Sequence, residues 1–457
     1  MTKEKRYEID MCSGPLFGKI LLFAIPLMLS GILQLLFNAA DVIVVGNFVG
    51  ESALAAVGST TSLINLLINV FIGLSIGTNV LVARFYGAGQ EQEVRETVHT
   101  AIALALLCGV FLIGVGMFAS GPMLKLMGTP DEVLGQAILY VRIYFLGMPV
   151  NLLYNFGSAI LRAVGDTRRP LYYLSASGVI NVLLNISFIC FFGMGVEGVA
   201  LATIISQAIA AVLVLYSLIR NEGVLHLELS RLRITGDKLK RILRVGLPAG
   251  IQSAIFSASN VLIQSSINSF GFLAVAGSTA ACNLECFVYA AMNACHHAAI
   301  SFIGQNLGAG KLDRVRRVII QCILLVSAVG LVMGVSFYLF GEQLLSIYTR
   351  DPEALWYGLR RLAFICIPYF IFGIMDTLAG CVRGLGYSVL PMMVSVAGVC
   401  GLRVLWIFTV FQWYPTWDML FSVYLFTWVV TATVHLMCLI TLYRKQKKMI
   451  GGEIENE

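Results

Sequence analysis

The strongest constraint on this chain is a series of long apolar stretches, such as residues 20–37 and 319–340. A helix rises 1.5 Å per residue, so about 20 residues cross a hydrocarbon core about 30 Å thick. Neither stretch alternates apolar and polar residues, as the strands of a membrane barrel would. Only 12% of the 457 residues are charged, about half the share that is usual in soluble proteins. The sequence therefore predicts an all-α integral membrane protein.

Twelve such spans are predicted, near residues 16–48, 53–84, 94–119, 133–161, 169–192, 197–220, 239–270, 274–306, 314–340, 354–382, 388–412 and 417–443. Lysine and arginine are retained on the cytoplasmic side of a membrane, so their distribution indicates the orientation. With both termini in the cytoplasm, all but six of the 31 basic residues lie on that side. The exceptions are Lys125 and Arg350 in outside loops, and Arg142, Arg360, Arg361 and Arg403 within spans. The net charge of +6 therefore reflects topology and indicates no nucleic-acid partner.

The prolines indicate an internal repeat. Four pairs lie 219 to 222 residues apart: Pro26 with Pro248, Pro130 with Pro352, Pro149 with Pro368, and Pro170 with Pro391. We therefore predict two six-helix lobes that enter the membrane from the same side and are related by a pseudo-two-fold axis along the membrane normal. The predicted order is a cytoplasmic tail (1–15), an N-terminal lobe (16–222), a cytoplasmic linker (223–238), a C-terminal lobe (239–443) and a second tail (444–457). Two lobes that open alternately to each side favour a carrier over a channel.

The eleven cysteines and five histidines do not favour an enzyme or a metal centre. The cysteines lack paired CxxC spacing. Cys286 and His297 are eleven positions apart, hence about 16 Å along a helix, which is too far to share one ion. We predict no enzymatic activity, no cofactor and no metal beyond a transported cation. The motif Gly73-x-x-x-Gly77 predicts a close contact between helices.

Asp41 is one of three acidic residues, with Glu285 and Asp376, that fall inside predicted spans. An ionised carboxylate at the centre of a membrane helix costs about 2.5 to 3.5 kcal/mol, so such residues are usually functional. Gln34, Asn38 and Asp41 are spaced four and three apart, which places them on one helix face. The alternatives are that Asp41 lies in the outer headgroup layer, or that Arg142 pairs with it.

Three further residues extend the Asp41 hypothesis. Asn181 and Asn185 share one face of the fifth span, and Thr203 lies early in the sixth. With Asp41 they offer a carboxylate, two amide carbonyls and a hydroxyl, all hard oxygen donors that suit Na⁺ or surround a proton on the carboxylate. Hydrogen bonding between helices is the alternative explanation of the asparagines.

The second lobe lacks this set of oxygen donors. Ile263, Leu402 and Trp406 occupy the positions that match Asp41, Asn181 and Asn185 in the repeat. This lobe instead contains Glu285, Asp376 and, in the eleventh span, Arg403. Either Arg403 forms a structural ion pair with one of the acids, or the acids bind a cationic substrate.

These features resemble the multidrug and toxic compound extrusion (MATE) family, in particular its bacterial DinF-like branch. The resemblance rests on Ala24-Ile25-Pro26, Asn38-Ala39-Ala40-Asp41, residues 162–167 with Pro170, Asn181 to Asn185, Asn283-Leu284-Glu285, residues 304–310, and Arg383-Gly384-Leu385-Gly386. It implies a two-lobed antiporter that exports organic, often cationic and amphipathic compounds in exchange for Na⁺ or H⁺. The family's cation site maps onto Asp41, Asn181, Asn185 and Thr203.

We accordingly expect alternating access, with the first span bending near Pro26 and Gln34, Asn38, Glu285, Asp376 and Arg403 providing polar groups in the substrate cavity. The expected location is the bacterial inner (plasma) membrane, the expected partners are the lipid bilayer and small organic substrates, and the expected state is a monomer. A flippase for lipid-linked oligosaccharides is the main alternative, but it would need several arginines for a pyrophosphate. A membrane scaffold or receptor without transport activity is the other.

Overall fold

The computed structural model describes residues 7–454, and the long apolar stretches form helices. Residues 1–6 and 455–457 of the two predicted tails lie outside the described part. The helices are α1 (Leu16–Val44), α2 (Glu51–Gly87), α3 (Glu91–Leu126), α4 (Asp131–Leu146), α5 (Met148–Ala163), α6 (Arg168–Cys190), α7 (Val196–Ile219), α8 (Gly236–Asn268), α9 (Phe272–Gly308), α10 (Leu312–Leu339), α11 (Gly341–Leu345), α12 (Pro352–Ile365), α13 (Tyr369–Gly384), α14 (Val389–Ser395), α15 (Leu402–Phe408), α16 (Val410–Trp413) and α17 (Trp417–Ile454). A π-helical turn, Val45–Val49, extends α1, and another, Val396–Gly401, joins α14 to α15. Helices predominate because a backbone in hydrocarbon must satisfy its own hydrogen bonds.

The predicted twelve spans are confirmed within residues 7–454. Ten helical stretches are long and apolar enough to cross a membrane, and two further spans are bent pairs. The pair α4 and α5 bends by 48°, and the pair α12 and α13 bends by 47°. Pro149 and Pro368 lie at these two bends, where the proline ring removes a backbone donor. The two bends thus come from one of the proline pairs that indicated the repeat.

Glycines at matching positions give the two halves the same backbone turns. Gly89 and Gly310 have φ values of 68° and 69°, and Gly165 and Gly386 have 94° and 92°. These left-handed conformations are unfavourable for residues with a Cβ atom. The repeat predicted from the sequence therefore also appears in the local backbone conformation.

Packing divides the chain into two compact units. Unit 1 contains the chain up to Asp10 together with Ile32–Gly250. Within it, a Cβ atom on Gly73 would lie 2.3 Å from the backbone nitrogen of Gly250, and one on Gly77 would lie 2.4 Å from the carbonyl oxygen of Ile242. The Gly73 motif thus lets the backbones of α2 and α8 touch, as the sequence predicted.

The predicted linker lies against unit 1. Leu225 and Leu227 are buried, and the backbone nitrogen of Thr235 donates to the hydroxyl of Thr100 on α3 at 3.1 Å. At the end of the linker, Lys238 is buried and forms an ion pair with Glu93. This stretch is therefore fixed to unit 1 by apolar burial and by side-chain contacts.

Unit 2 contains Met11–Gly31 and the chain from Ile251 onward. Its interior is rich in aromatic residues, including Phe302, Phe421 and the buried Trp428. The early part of α1 belongs to it, because the ring of Phe23 packs edge-on against Phe302 at 5.6 Å. The predicted lobe boundaries at 16–222 and 239–443 remain predictions.

The segment before α1 is held by contacts in both units. In unit 1, the guanidinium of Arg169 stacks on Tyr7 at 5.0 Å, and the hydroxyl of Tyr86 donates to Glu8 at 3.2 Å. In unit 2, Asn306 donates to the Met11 carbonyl at 3.1 Å. Arg314 of α10 donates to the carbonyl oxygens of Met11, Ser13 and Gly14 at 3.2, 2.5 and 2.9 Å. Residues 7–14 therefore have a defined path.

Candidate functional site

Asp41 lies near the end of α1, in contact with α6. The amide nitrogen of Asn185 donates to the Asp41 carboxylate at 2.6 Å, and it also lies 3.4 Å from the side-chain oxygen of Asn181. Asn185 is fully buried and Asn181 is 6% exposed. The structure therefore brings these three residues of the predicted site together in one hydrogen-bonded cluster.

The close approach of α1 to α6 determines this geometry. A Cβ atom on Gly178 would lie 1.9 Å from the ring of Phe37, so only glycine allows the ring to pack there. Asp41 is one turn beyond Phe37, and Asn181 and Asn185 are one and two turns beyond Gly178. The contact thus places the carboxylate beside the two amides. Ser177 also holds α6 against α7 by donating to the Ser206 carbonyl at 2.7 Å.

The side-chain oxygen of Asn185 is buried without a hydrogen-bond partner among residues 7–454. An unsatisfied carbonyl oxygen is costly to bury, and a cation bound to it would relieve that cost. No arginine or lysine of the described chain forms an ion pair with Asp41. The donor chemistry at this position therefore fits Na⁺ or a proton.

Thr203, Gln34 and Asn38 lie outside the hydrogen-bonded cluster. The Thr203 hydroxyl donates to the carbonyl of Val199, one turn earlier in its own helix, at 3.0 Å. Gln34 and Asn38 are exposed on α1, in the turns before Asp41. They continue the polar face that the sequence predicted.

The sequence reasoning missed several polar residues of α4, α5 and α7. Tyr140 and Tyr144 of α4 interact electrostatically with Asp41. On α5, Asn155 donates to the side-chain oxygen of Asn151 at 3.1 Å, and Asn151 donates to Gln207 of α7 at 3.2 Å. The two asparagines are four residues apart, the spacing that drew attention to Asn181 and Asn185, and this signal was available in the sequence.

Glu285 forms a buried, bidentate ion pair in unit 2. Arg361 donates to its two carboxylate oxygens at 2.7 and 2.8 Å, and also to the Ser278 hydroxyl at 2.6 Å. From the sequence, Arg403 is a candidate partner for an acid in this lobe. The observed partner of Glu285 is instead Arg361, another arginine within a predicted span.

Asp376 belongs to a second buried network in unit 2. The Nδ1 atom of His296 lies 2.8 Å from the Asp376 carbonyl oxygen and 3.3 Å from its carboxylate. The other ring nitrogen lies 3.3 Å from a guanidinium nitrogen of Arg383, which also donates to Gln252 at 2.7 Å. The sequence gave no signal that His296 contacts Asp376.

Arg403 pairs with no carboxylate in the part of the chain that the structure describes. It is 5% exposed, lies 3.4 Å from the side-chain oxygen of Asn260, and stacks 4.2 Å from the ring centre of Tyr424. Asp41 in unit 1 and Arg403 in unit 2 are thus two charged side chains without an oppositely charged partner among residues 7–454. Each lies within four residues of a π-helical turn, a feature that is frequent at functional sites.

A family model described as MatE matches residues 26–187 and 248–409 of this chain. The chain belongs to this family. The two matched segments begin at Pro26 and at Pro248, the pair that first indicated the repeat. As a member of the MATE family the protein is a multi-pass membrane transporter and not an enzyme.

Curated relatives and solved structures agree with this assignment. The probable multidrug resistance protein YoeA of Bacillus subtilis is 31% identical and covers 84% of each chain. The probable multidrug resistance protein YpnP of the same organism is 28% identical over 86% of this chain and 88% of its own. A crystal structure of a MATE P26A mutant has the same fold, with a TM-score of 0.90, 22% identity, and coverage of 98% of this chain and 99% of that one.

Proposed function

We propose that this MATE protein is a secondary active antiporter that exports organic amphipathic compounds from the cytoplasm in exchange for H⁺ or Na⁺. The names of the two Bacillus subtilis relatives support drug export as the direction of transport. The observation that carries the exchange is the Asp41 cluster. Within residues 7–454 the Asp41 carboxylate has no basic partner, and the side-chain oxygen of Asn185, whose amide nitrogen contacts it, has no hydrogen-bond partner.

The cluster gives the coupling ion a place to bind and to leave. A carboxylate locked by an arginine would stay ionised, whereas Asp41 interacts with neutral amides and can accept a cation. Binding cancels its charge, and a neutral carboxyl is much less costly to carry through a low-dielectric region. Inward return of the cation then drives export of the substrate.

Pro26 is the proposed hinge of α1. It lies within the helix and has no amide hydrogen, so the carbonyl four residues earlier lacks its helical partner. The hydroxyl of Ser30 donates to the Pro26 carbonyl at 2.8 Å. Bending at this point breaks fewer backbone hydrogen bonds than bending elsewhere in the helix.

The membrane potential supplies enough energy for this cycle. One charge that crosses about 100 mV releases about 2.3 kcal/mol, which sustains roughly a 50-fold gradient of an uncharged substrate at one-to-one coupling. That is sufficient to keep a toxic compound at a low cytoplasmic concentration. Exchange for a monovalent cationic substrate is electroneutral, and there the concentration gradient of the coupling ion supplies the energy.

We place the protein in the bacterial inner membrane as a monomer with both termini in the cytoplasm, within the DinF-like branch of the family. The flippase alternative is less well supported, because two candidate phosphate-binding arginines in unit 2, Arg360 and Arg361, already pair with Asp418 and Glu285.

The test is dye export by the purified protein in sealed vesicles, driven in separate experiments by a Na⁺ gradient and by a pH gradient. We expect one of the two gradients to drive dye accumulation, and collapse of that gradient by an ionophore to abolish it. Equal dye movement with and without both gradients would contradict antiport.

A further inference from the structure

Arg403 differs from the other buried arginines of unit 2 in its partners. Arg361 has a carboxylate on its guanidinium, and Arg383 belongs to the network around Asp376. Within residues 7–454, Arg403 has only the weak contact with Asn260 and the ring of Tyr424, and its Nε atom is buried without a partner. The side chain is therefore a buried cation with unused donor capacity.

Such a cation is expensive to keep inside a membrane protein. A stacked ring and one long hydrogen bond compensate only part of the desolvation of a guanidinium. Charged residues that persist within spans are usually paired or face a pathway for ions or substrates. Because the described chain offers Arg403 no carboxylate, an anion from outside the chain is the partner that balances its charge.

Asn260, the residue that contacts the Arg403 guanidinium, is part of a polar helix face. It lies on a polar face of α8 whose members are spaced by three or four residues: Ser253, Ser257, Asn260, Gln264 and Asn268. Asn260 is exposed, and an amide exposed at the middle of a span is far less costly against water than against lipid. The guanidinium of Arg403 therefore lies beside this exposed polar face.

A cluster of aromatic rings adjoins the Arg403 guanidinium. The Tyr424 ring that stacks on Arg403 lies 5.6 Å from Trp428, and Trp428 lies 5.5 Å from Tyr369. A ligand at this position would meet the guanidinium beside the ring of Tyr424. Guanidinium groups bind carboxylates and phosphates with two parallel hydrogen bonds, and Nε is an Arg403 donor that has no partner among residues 7–454.

We propose that Arg403, Asn260 and Tyr424 form an anion subsite that binds the carboxylate or phosphate of an exported aromatic compound. This inference rests on the export function proposed above and extends its substrates from cations to anionic and zwitterionic amphiphiles. Arg403 supplies the charge, Asn260 orients the guanidinium, and Tyr424 holds it flat.

The test is equilibrium binding of two xanthene dyes to the purified protein in a neutral detergent. Fluorescein carries a carboxylate, and a rhodamine ester is its cationic counterpart. We expect the wild type to bind both dyes, and we expect benzoate and phenyl phosphate to displace fluorescein preferentially. Displacement of fluorescein by phosphatidic acid but by neither small anion would overturn the assignment to an exported compound and point to a lipid headgroup.

Two variants report on the subsite independently. Arg403→Gln removes the charge, and Asn260→Asp places an internal carboxylate beside the guanidinium at an exposed position, where the fold tolerates it. We expect each to lower the affinity for fluorescein, relative to the rhodamine ester, by about tenfold or more. Arg360→Gln is the matched control, because this exposed arginine already pairs with Asp418, and it should leave the ratio unchanged.

Asn260→Asp decides the question if Arg403→Gln fails to fold. A fluorescein affinity within about twofold of wild type in Asn260→Asp would overturn the subsite, as would a wild type that binds the rhodamine ester but not fluorescein. Since binding needs no gradient, this result is separable from antiport: loss of gradient-driven export with intact fluorescein binding contradicts the proposed function alone.

Discussion

The amide nitrogen of Asn185 donates a hydrogen bond of 2.6 Å to the carboxylate of Asp41, while the amide oxygen of Asn185 is buried without a partner in the described chain. One side chain therefore both orients the acid and presents an unsatisfied oxygen near it. A site that binds a cation reversibly needs both properties, because full satisfaction by protein donors and acceptors would leave nothing for the ion to gain.

Replacing Asn185 tests this double role. Asn185→Leu removes the donor and the free oxygen but leaves Asp41 in place. We expect the concentration of coupling ion needed for half-maximal export to rise by about tenfold, because a buried charge-assisted contact contributes about 1.5 kcal/mol or more. The measurement is dye export against ion concentration in vesicles. Asn155→Leu is the matched control from the asparagine pair on α5, and an equal shift in both variants would argue against a specific role of Asn185.

The ion pair between Glu285 and Arg361 should behave as a structural element. Arg361→Met leaves a buried carboxylate uncompensated, so the free energy of unfolding should fall by about 3 to 5 kcal/mol. The double variant Arg361→Met with Glu285→Leu should recover most of that loss, because both charges are then gone. Unfolding midpoints in detergent measure both effects. A double variant no more stable than Arg361→Met would show that the pair is not isolated.

Asp166, in the loop between α5 and α6, gives the fold a pH dependence. Burial raises the pKa of its carboxyl to about 6, although contacts with Arg169 act in the opposite direction. Because the pKa in the folded state lies above the unfolded value of about 4, folding favours the protonated form. Its contribution to stability is therefore fully present below about pH 4 and is lost as the pH rises through about 6.

The variant Asp166→Asn checks this linkage. Its free energy of unfolding should gain on that of wild type by about 3 kcal/mol between about pH 4 and pH 7, since the neutral amide has no charge to bury. Unfolding at a series of pH values measures the difference. Parallel profiles for the two proteins would mean that Asp166 keeps the same pKa in both states.

Arg314 should anchor the segment before α1. It donates to three carbonyl oxygens within residues 11–14, and Arg314→Ala removes all three contacts. We expect cleavage of this segment by a protease to be about tenfold faster, because local opening becomes less costly by about 1.4 kcal/mol. Arg317→Ala, an exposed neighbour on the same helix, is the control. Equal cleavage rates in the two variants would contradict the anchoring role.

Features that follow from spacing along the chain could be predicted from the sequence. The twelve spans come from apolar length and the repeat from proline separations. Spacing placed Asp41 on one polar helix face and Asn185 on another, and the family resemblance implied that the two belong to one site. The partner of Glu285 could not be predicted in this way, because Arg361 lies 76 residues away and their meeting depends on how α9 packs against α12. The contact of His296 with Asp376 spans 80 residues and depends on packing of α9 against α13. In both cases the position of the acid inside a predicted span singled it out, whereas its partner could be identified only from the fold.

Asp41 is proposed to bind and release the coupling ion, and gradient-driven dye export by Asp41→Asn tests this role. The amide has nearly the same shape but cannot ionise, so export driven by either gradient should fall to the level of empty vesicles. Asp131→Asn, the same substitution at an exposed position at the start of α4, should export like wild type. Export by Asp41→Asn at the wild-type rate, with the same ion dependence, would contradict the account.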